Sequence, residues 1–411
     1  MHFDWKKIIA GIGVILLLSI VLWFFFFRAN APLVSIIPIP NFGSGVDVST
    51  TPTNNTTNSS TTVGSTTPQS QQKVFKIASG PIASAVFVQT SRPTTTIARY
   101  VMQDSGHVLD QLISTTTVSS RSASNTTIPA ISNTVWVERG NAALLQYIDT
   151  TTIKTVYVGL PTATTSSVAA QLSTRIQFLP NNILSLASSP DGKSVVYLLK
   201  TTEGVDGYVT SSNGTNSRKV FSLPLSQIIL SWPSSNTILA QTKSATGAPG
   251  VLFSINSTSG VVSQVVYAAG LTAIANNTFS KILYQTAPSD AIHLSYIRDN
   301  ASGKNLLLSF QPFPEKCVWA PVPANTAYCA VPLQYIPQNY LDLWHQGIKT
   351  ATDSFLSFSG TTGKSTIFAI PGSADGGVAA DVDQLTISPD GQYLLYVTRG
   401  DRSLWGVRLS N

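Results

Sequence analysis

Short apolar segments separated by polar turns recur along the chain from Lys73 onward, a pattern typical of β-strands. Two of the turns read Ser-Pro-Asp-Gly, at residues 189–192 and 388–391, and an apolar segment containing a tyrosine follows each one. Proline presets the turn, aspartate can bond the backbone two residues on, and glycine accepts positive φ. Each copy therefore predicts a tight turn that leads into a buried strand, and no convincing helix is expected after residue 73.

Seven apolar segments are interpreted as the second strands of successive repeats. They are marked by Ile97, Leu144, Val195, Ile238, Ile282, Ala327 and Leu394, at intervals of 47, 51, 43, 44, 45 and 67 residues. Four-stranded propeller blades repeat at about 40–50 residues, so the spacing predicts an all-β, seven-bladed β-propeller with an insertion in the sixth blade. Two stacked β-sandwiches are the alternative all-β interpretation, and the steady spacing argues against them.

A polar hairpin turn recurs between the predicted third and fourth strands. It occupies residues 213–216, 256–260, 300–303 and 360–363, and each copy contains glycine, asparagine or both. These two residue types supply the positive φ that tight hairpins need. The recurrence supports the same blade architecture and argues against the sandwich alternative.

The last predicted blade has three strands before the chain stops at Asn411. A blade lacking its fourth strand would expose a row of unpaired backbone donors and acceptors. Residues 74–77 precede the first blade and have the alternating pattern of an outer strand. We therefore expect residues 74–77 to pair beside residues 403–409 and close the ring.

The Ser-Pro-Asp-Gly turn followed by a tyrosine-bearing strand resembles the TolB-like propeller repeat. The resemblance covers roughly residues 74–411, and the other blades have degenerate turns, such as residues 137–140 and 233–236. The chain also has an uncharged apolar run at residues 8–27, an uncharged Thr-rich segment at residues 49–72, and two cysteines, Cys317 and Cys329, within the predicted propeller. This order is similar to that of uncharacterised single-pass bacterial envelope proteins. These resemblances imply a fold and bring no known activity with them.

The N-terminal segment predicts a membrane anchor. Ile8 to Phe27 is a run of twenty residues without a charge, and about 20 apolar residues cross ~30 Å of hydrocarbon as a helix. Lys6 and Lys7 precede the run, so the positive-inside rule places the N-terminus in the cytoplasm and the rest outside. A cleaved signal peptide is the alternative, although its apolar core normally spans only about 7–15 residues.

Three regions follow from these patterns. Residues 1–28 are expected to form a cytoplasmic tip and a single transmembrane helix in the plasma (inner) membrane. Residues 29–73, which include an uncharged segment rich in Thr, Ser and Asn, are expected to be a disordered linker. Residues 74–411 are expected to form an extracytoplasmic propeller.

The low content of charged residues bears on which kinds of partner the chain could bind. Charged residues make up 11% of the chain, against about 25% in typical globular proteins. Without the first 28 residues, 22 basic and 18 acidic residues remain, and they form no basic cluster. The composition therefore argues against nucleic-acid binding and suits an extracytoplasmic β-protein.

Cys317 and Cys329 are the two cysteines of the chain. They flank the predicted turn at residues 320–325, and counting outward from its centre places them directly opposite each other on an antiparallel pair. Opposed Cα atoms lie within reach of a disulfide, which would form outside the cytoplasm. A reactive thiol or a metal pair is the alternative, but two sulfurs alone do not complete a zinc site.

Other motifs give little support to catalysis or cofactor binding. The four histidines lack metal-ligand spacing, and the triplet at residues 363–365 lacks the rest of a phosphate-binding loop. No Gly-x-Ser-x-Gly motif is present. Carboxylates of a propeller enzyme would come from a set near the blade turns: Asp104, Asp206, Asp299, Asp381 and Asp383. Acidic residues near blade turns usually cap the turns, so we expect no enzymatic activity and no bound cofactor or metal. Asp191 and Asp390 are likewise interpreted as turn residues rather than as calcium ligands.

The predicted partner site is the insertion between the second and third strands of the sixth blade, at residues 332–350. Its aromatic residues are Tyr335, Tyr340, Trp344 and His345. Long loops on rigid scaffolds often carry function, and Tyr and Trp are favoured at binding hot spots. The alternative is that these side chains fold back and cover the blade. The expected function is a protein-interaction scaffold in the bacterial cell envelope, and the alternative is a glycan- or peptide-binding module that faces the cell wall.

Overall fold

The protein is described by a computed structural model covering residues 72–91, 94–113, 120–124, 126–161 and 175–409. Within these residues, seven antiparallel four-stranded sheets form the blades of a β-propeller. The predicted anchor at residues 8–27, and the predicted linker as far as residue 71, lie outside the described residues. Across the ranges given above, no helix combines the length and the apolar character required to span a membrane.

The strands follow one another in chain order within each blade, except that the first strand of the chain completes blade 7. Blade 1 contains β2 (Ile82–Ser91), β3 (Thr94–Met102), β4 (Val108–Leu112) and β5 (Ser120–Ser124). Blade 2 contains β6 (Ile131–Val137), β7 (Ala142–Asp149), β8 (Thr152–Gly159) and β9 (Arg175–Phe178). Blade 3 contains β10 (Leu186–Ser188), β11 (Ser194–Lys200), β12 (Val205–Ser211) and β13 (Arg218–Leu223).

The remaining blades repeat this arrangement. Blade 4 contains β14 (Ile228–Ser234), β15 (Thr237–Thr242), β16 (Pro249–Asn256) and β17 (Val262–Ala269). Blade 5 contains β18 (Thr272–Ala275), β19 (Lys281–Thr286), β20 (Leu294–Asp299) and β21 (Asn305–Leu307). Blade 6 contains β22 (Cys317–Trp319), β23 (Thr326–Pro332), β24 (Asp353–Ser359) and β25 (Ser365–Ala369), and blade 7 contains β26 (Val382–Ile387), β27 (Tyr393–Thr398), β28 (Leu404–Arg408) and β1 (Val74–Ala78).

All seven positions chosen from the sequence lie on the second strands of their blades, which confirms the predicted repeat. The apolar segments are continuous because a second strand is buried on both sides. On β11, Val195 and Tyr197 pack toward blade 2, while Val196 and Leu198 pack toward blade 4. The hydrophobic core is therefore divided among the spaces between neighbouring blades.

Strand β1 closes the ring as predicted. It pairs antiparallel with β28, with Val74 opposite Val407 and Lys76 opposite Trp405. First strands of neighbouring blades contact each other, as β2 does with β6 and β10 with β14, and β2 contacts β26 at the junction between the first and last blades. The chain thus supplies an outer partner for β28, which would otherwise be an exposed edge.

The two Ser-Pro-Asp-Gly turns have the predicted geometry. Asp191 Oδ1 accepts hydrogen bonds from Ser189 Oγ at 2.7 Å and from the Lys193 backbone N–H at 3.0 Å. Gly192 has a φ of 74°. These bonds, Ser189 first, lower the pKa of Asp191. The aspartate is therefore a turn-stabilising residue, as expected.

The two cysteines are joined by a disulfide within blade 6, which confirms their predicted pairing. Cys317 on β22 lies directly opposite Cys329 on β23, with their Cα atoms 4.1 Å apart. Both residues are buried in the core shared with blade 5. The bond links the first two strands of the blade that carries the insertion.

One expectation about secondary structure was wrong. The insertion contains a short helix, α1 (Tyr340–His345), whereas no helix was expected after residue 73. The buried residues Tyr340, Leu341 and Trp344 share one side of this helix. Six residues are too few for a helical period to stand out against the strand pattern, so packing against the blade decides the conformation.

Candidate partner-binding surface on the sixth blade

The insertion occupies residues 333–352, between β23 and β24, as the 67-residue interval predicted. Because strands alternate in direction, connections between second and third strands lie at the same end of the propeller as connections between blades. We call this the insertion end. The helix α1 stops where Gly347, with a φ of 73°, donates its N–H to the Trp344 carbonyl oxygen.

The insertion has a small apolar core of its own. Its members are Phe313, Tyr340, Leu341, Trp344 and Ala351, with Ile336 packed against them. The rings of Phe313 and Tyr340 lie 5.2 Å apart, centre to centre. Tyr340 and Trp344 are buried. These two residues of the predicted site therefore pack against the blade, as in the alternative in which the aromatic side chains fold back and cover it.

A buried cluster of charges lies beneath α1. Lys316 Nζ is 2.8 Å from Asp353 Oδ2 and also binds Asp381 Oδ1. The side chains of Lys316, Asp353 and Asp381 are only 1%, 0% and 4% exposed. Trp344 donates its indole N–H to Asp381 at 3.0 Å. The cluster therefore ties the start of β22, the start of β24 and the segment before β26 to the helix.

Arg399 completes the attachment to blade 7. Its guanidinium lies over the Trp344 ring, 4.1 Å from the ring centre, and it donates to the Trp344 carbonyl oxygen. Burial raises the pKa of Asp353, while Lys316 opposes this shift. Burial, followed by the charges of Asp381 and Asp353, raises the pKa of Tyr340. The two buried carboxylates, Asp353 and Asp381, thus have the positive charge of Lys316 in direct contact, and Arg399 adds a second positive charge over the Trp344 ring.

Further contacts attach the insertion to blades 4 and 5. Asp342 accepts a hydrogen bond from the Thr246 backbone N–H, at 3.0 Å, in the loop after β15. Gln338 donates to the Ala291 carbonyl oxygen at 3.0 Å. His293 Nε2 contacts the Gln338 carbonyl oxygen at 2.6 Å. Burial lowers the pKa of His293, so at neutral pH a neutral imidazole with its proton on Nε2 satisfies this contact.

The two remaining aromatic residues of the predicted site have different environments. His345 Nε2 contacts Glu315 Oε2 at 2.9 Å, and both side chains are partly exposed. Tyr335 is 88% exposed. Leu333 and Ile348 on the insertion, and Ile292 in the adjoining loop of blade 5, are also exposed. The accessible apolar surface is therefore formed by Tyr335 and these aliphatic residues, which the sequence analysis did not single out.

The carboxylates considered for catalysis are distributed over several blades. Four of them form ion pairs: Asp206 with Lys219, Asp299 with Lys281, Asp381 with Lys316, and Asp383 with Arg402. The fifth, Asp104, lines a cleft between blades 7 and 1. Lys219 and Lys281 lower the pKa of their partner aspartates. In the part of the chain that the structure describes, no group of three or more His, Cys, Asp or Glu is placed to hold a metal ion.

The comparisons with known proteins identify the fold. No protein-family model matches the chain. No curated protein sequence matches it either. Among solved structures, oligogalacturonate lyase from Vibrio parahaemolyticus is similar over 83% of this chain and 94% of that protein, with 8% identity and a TM-score of 0.53. The β-propeller domain of Cps50 (Swd1) from Myceliophteria thermophila is similar over 82% of this chain and 100% of that domain, with 12% identity and a TM-score of 0.50.

TolB from Acinetobacter baumannii also matches, with 11% identity and a TM-score of 0.42 over 80% of this chain. The chain spans 63% of the length of that protein. At these identities the similarities show the fold alone. That fold is a β-propeller, as the resemblance to the TolB-like repeat implied.

Proposed function

We propose that this protein is a membrane-anchored, extracytoplasmic propeller that acts as a protein-interaction scaffold in the bacterial cell envelope and has no enzymatic activity. In this proposal the insertion of blade 6 carries the partner surface. The observation that carries the proposal is the exposure of Leu333, Tyr335 and Ile348 on a segment that is attached to four blades.

Protein partners fit this surface for two physical reasons. Exposed apolar side chains gain free energy when a partner removes them from water, and tyrosine is enriched among the residues that dominate binding energy. The contacts of Asp342, Gln338 and Trp344 hold the insertion in place before binding. A preorganised surface loses less conformational entropy on association.

The N-terminal sequence and the disulfide support the proposed location, a membrane anchor with the propeller outside the cytoplasm. The run from residue 8 to residue 27 would bind the lipid bilayer, and Lys6 and Lys7 would keep the N-terminus in the cytoplasm. The Cys317–Cys329 disulfide fits an oxidising compartment. The low content of charge on the chain is consistent with the same location.

Site-specific photocrosslinking in intact cells tests the proposal. A photoreactive residue replaces Tyr335 in the full-length chain, and a matched control replaces Tyr267, which is 65% exposed on the outer strand β17 of blade 4. We expect one envelope protein to be crosslinked from position 335 and not from position 267. Identical adducts from both positions, or adducts only with a second copy of this chain, would contradict the proposal.

A further inference from the structure

Lys316 is a buried amine in contact with two carboxyl groups. Its side chain is 1% exposed, and its Nζ lies 2.8 Å from Asp353 Oδ2 and also binds Asp381 Oδ1. Removal of water favours the neutral forms of acids and amines over their charged forms. A neutral amine and a neutral carboxylic acid are the pair that condenses to an amide. The site therefore brings together the reactants of an amide bond between two side chains.

Asp353 has the environment of the group that is attacked. Its side chain is fully buried, and this burial raises the pKa of Asp353, so the protonated acid is favoured. The Val382 backbone N–H donates to Asp353 Oδ2 at 2.8 Å and would stabilise the negative charge that develops on this oxygen during attack at Cγ. Asp353 Oδ1 has no hydrogen-bond partner among the described residues, so none of them holds the oxygen that has to leave.

Asp381 has the environment of a proton acceptor. Trp344 donates its indole N–H to both carboxylate oxygens of Asp381, at 3.1 and 3.0 Å. Both oxygens thus accept hydrogen bonds, as those of a carboxylate do. Because Asp381 Oδ1 also contacts Lys316 Nζ, it can take a proton from the amine and pass it to a leaving oxygen.

Burial distinguishes Lys316 from a lysine in an exposed ion pair. Lys219 Nζ also lies 2.8 Å from a carboxylate oxygen, that of Asp206, but the Lys219 side chain is 50% exposed. Hydration keeps both groups of such a pair charged, and an ammonium has no lone pair for attack. In the buried cluster, contact also replaces diffusion, and well-oriented intramolecular reactions reach effective concentrations of about 10⁵–10⁸ M.

We infer that Lys316 and Asp353 form an isopeptide bond, with Asp381 as the general base. One proton of the Lys316 ammonium passes to the Asp353 carboxylate, and the Nζ lone pair attacks Cγ of the resulting acid as a second proton passes to Asp381. Asp381 then returns its proton to Asp353 Oδ1, the Cγ–Oδ1 bond breaks and one water molecule leaves. An ammonium and a carboxylate become an amide and water, so no oxidant or other reagent is needed. The ion-paired arrangement in the structure is the state before this reaction.

The bond has a structural consequence for the insertion. Lys316 precedes β22 and Asp353 begins β24, and the two residues are 37 positions apart. An amide between them closes a covalent loop that includes the whole insertion, and it replaces a buried ion pair by a neutral group. This inference goes beyond the proposed scaffold function, because it concerns the chemistry beneath the insertion and not the identity of the partner.

Tryptic peptide mapping of the full-length chain by mass spectrometry tests the inference. The protein is reduced and denatured before digestion, and trypsin cleaves after a lysine only where its amine is free. Without the bond, the digest contains the separate peptides 305–316, 317–349 and 350–364. We expect cleavage after Lys316 to be lost, so that peptide 305–349 is joined to peptide 350–364 with the loss of one water molecule. Separate peptides as the main products would overturn the inference.

The same map identifies which carboxyl group reacts, and it contains a control. A join to peptide 365–399, which contains Asp381, would overturn the assignment of Asp353 as the group that is attacked. Lys219 and Asp206 have the same nitrogen–oxygen distance in an exposed pair, and we expect normal cleavage after Lys219. Equal protection of Lys219 would overturn the argument that burial causes the reaction.

Two variants test the roles of the reacting groups. Lys316→Arg keeps a positive charge but removes the primary amine, so it should give no joined peptide. Asp381→Asn keeps both reacting groups but removes the base, so it should lower the joined fraction about tenfold or more at a fixed time after synthesis. Thermal midpoints show whether each variant is folded, and the wild-type map decides whether the bond exists independently of both. A joined peptide from Lys316→Arg, or a wild-type joined fraction in folded Asp381→Asn, would overturn the mechanism.

Discussion

Replacing Lys316 by methionine should strongly destabilise the propeller. Lys316 Nζ lies 2.8 Å from Asp353 Oδ2 and also binds Asp381, and all three side chains are at least 96% buried. Methionine keeps the apolar stem but leaves two carboxylates in a site that excludes water. Removal of one partner from a buried ion pair costs about 3–5 kcal/mol, and we expect a loss in that range at pH 7.

The matched control is Lys219→Met. Lys219 Nζ is also 2.8 Å from its partner, Asp206 Oδ2, but the Lys219 side chain is 50% exposed. Exposed pairs contribute about 0–1 kcal/mol. Thermal and denaturant unfolding of both variants measure the difference, and tryptophan fluorescence reports whether Trp344 loses its packing above the cluster.

The effect of Lys316→Met should depend on pH in a defined direction. Burial raises the pKa of Asp353, and Lys316 opposes that shift in the wild type. Without Lys316, the pKa of Asp353 in the folded protein lies further above its value in the unfolded chain. The folded variant therefore holds a proton that the unfolded chain releases, so the variant regains stability relative to wild type as the pH falls from 7 toward about 4.

Two outcomes would refute this reasoning. A loss no larger than that of Lys219→Met would show that the buried groups do not carry the charges assigned to them. A deficit that grows on acidification would contradict the direction of the pKa shift. Recovery in the Lys316→Met/Asp353→Asn double variant, relative to Lys316→Met alone, is expected because one of the unpaired carboxylates is then neutral.

Two further predictions concern the closure of the fold. Protein produced in an oxidising compartment and denatured without reductant should show no free thiol, and two titratable thiols would contradict the disulfide. Replacing Cys317 and Cys329 by alanine should lower the free energy of unfolding by roughly 3 kcal/mol at most, since only 12 positions separate them. Val74→Asp should lower the free energy of unfolding by about 3 kcal/mol, because Val74 on the closing strand β1 is fully buried beside Val407. The control, Val262→Asp on the outer strand of blade 4, should change the free energy of unfolding by about 0.5 kcal/mol or less. Similar thermal midpoints for the two aspartate variants would contradict the role of β1.

The architecture was predictable because its determinants are local. A second strand that is buried on both faces, such as β11, leaves a continuous apolar run in the sequence. The turns were recognisable because only certain residues permit their geometry, as Gly192 and Asp191 illustrate. The closing pair of β1 and β28 followed from an edge that needed a partner.

The buried cluster at the insertion was not predictable, because its parts are distant in sequence. Lys316 is 37 residues from Asp353 and 65 residues from Asp381. Nothing around Lys316 distinguishes it from an exposed lysine. Likewise, the composition of the insertion did not separate the exposed Tyr335 from the buried Tyr340 and Trp344, because the short helix determines which side chains face the blade.

One repeated signal in the sequence was missed. Gln285 Nε2 on β19 donates to Ser295 Oγ and to the Pro312 carbonyl oxygen, both at 3.2 Å. Gln146 Nε2 on β7 donates in the same way to Thr155 Oγ1 and to the Ile183 carbonyl oxygen. Each glutamine links a second strand to the third strand and to the connection that leads to the next blade. Gln285 lies in the pattern Ile-Leu-x-Gln-Thr at residues 282–286, which recurs at residues 238–242, whereas the segment around Gln146 reads Ala-Leu-Leu-Gln-Tyr.

The central claim is that the exposed surface of the insertion binds a protein partner. The most direct test is an affinity measurement with the envelope protein that crosslinks at position 335, once it has been purified. The full-length chain and its Tyr335→Ser variant are compared with the Tyr267→Ser control, with thermal midpoints recorded for each. We predict that Tyr335→Ser weakens binding by about tenfold or more, a loss of about 1.4 kcal/mol or greater, while Tyr267→Ser binds as the wild type does and all midpoints agree. Wild-type affinity in Tyr335→Ser, or an equal loss in both variants, would contradict the claim.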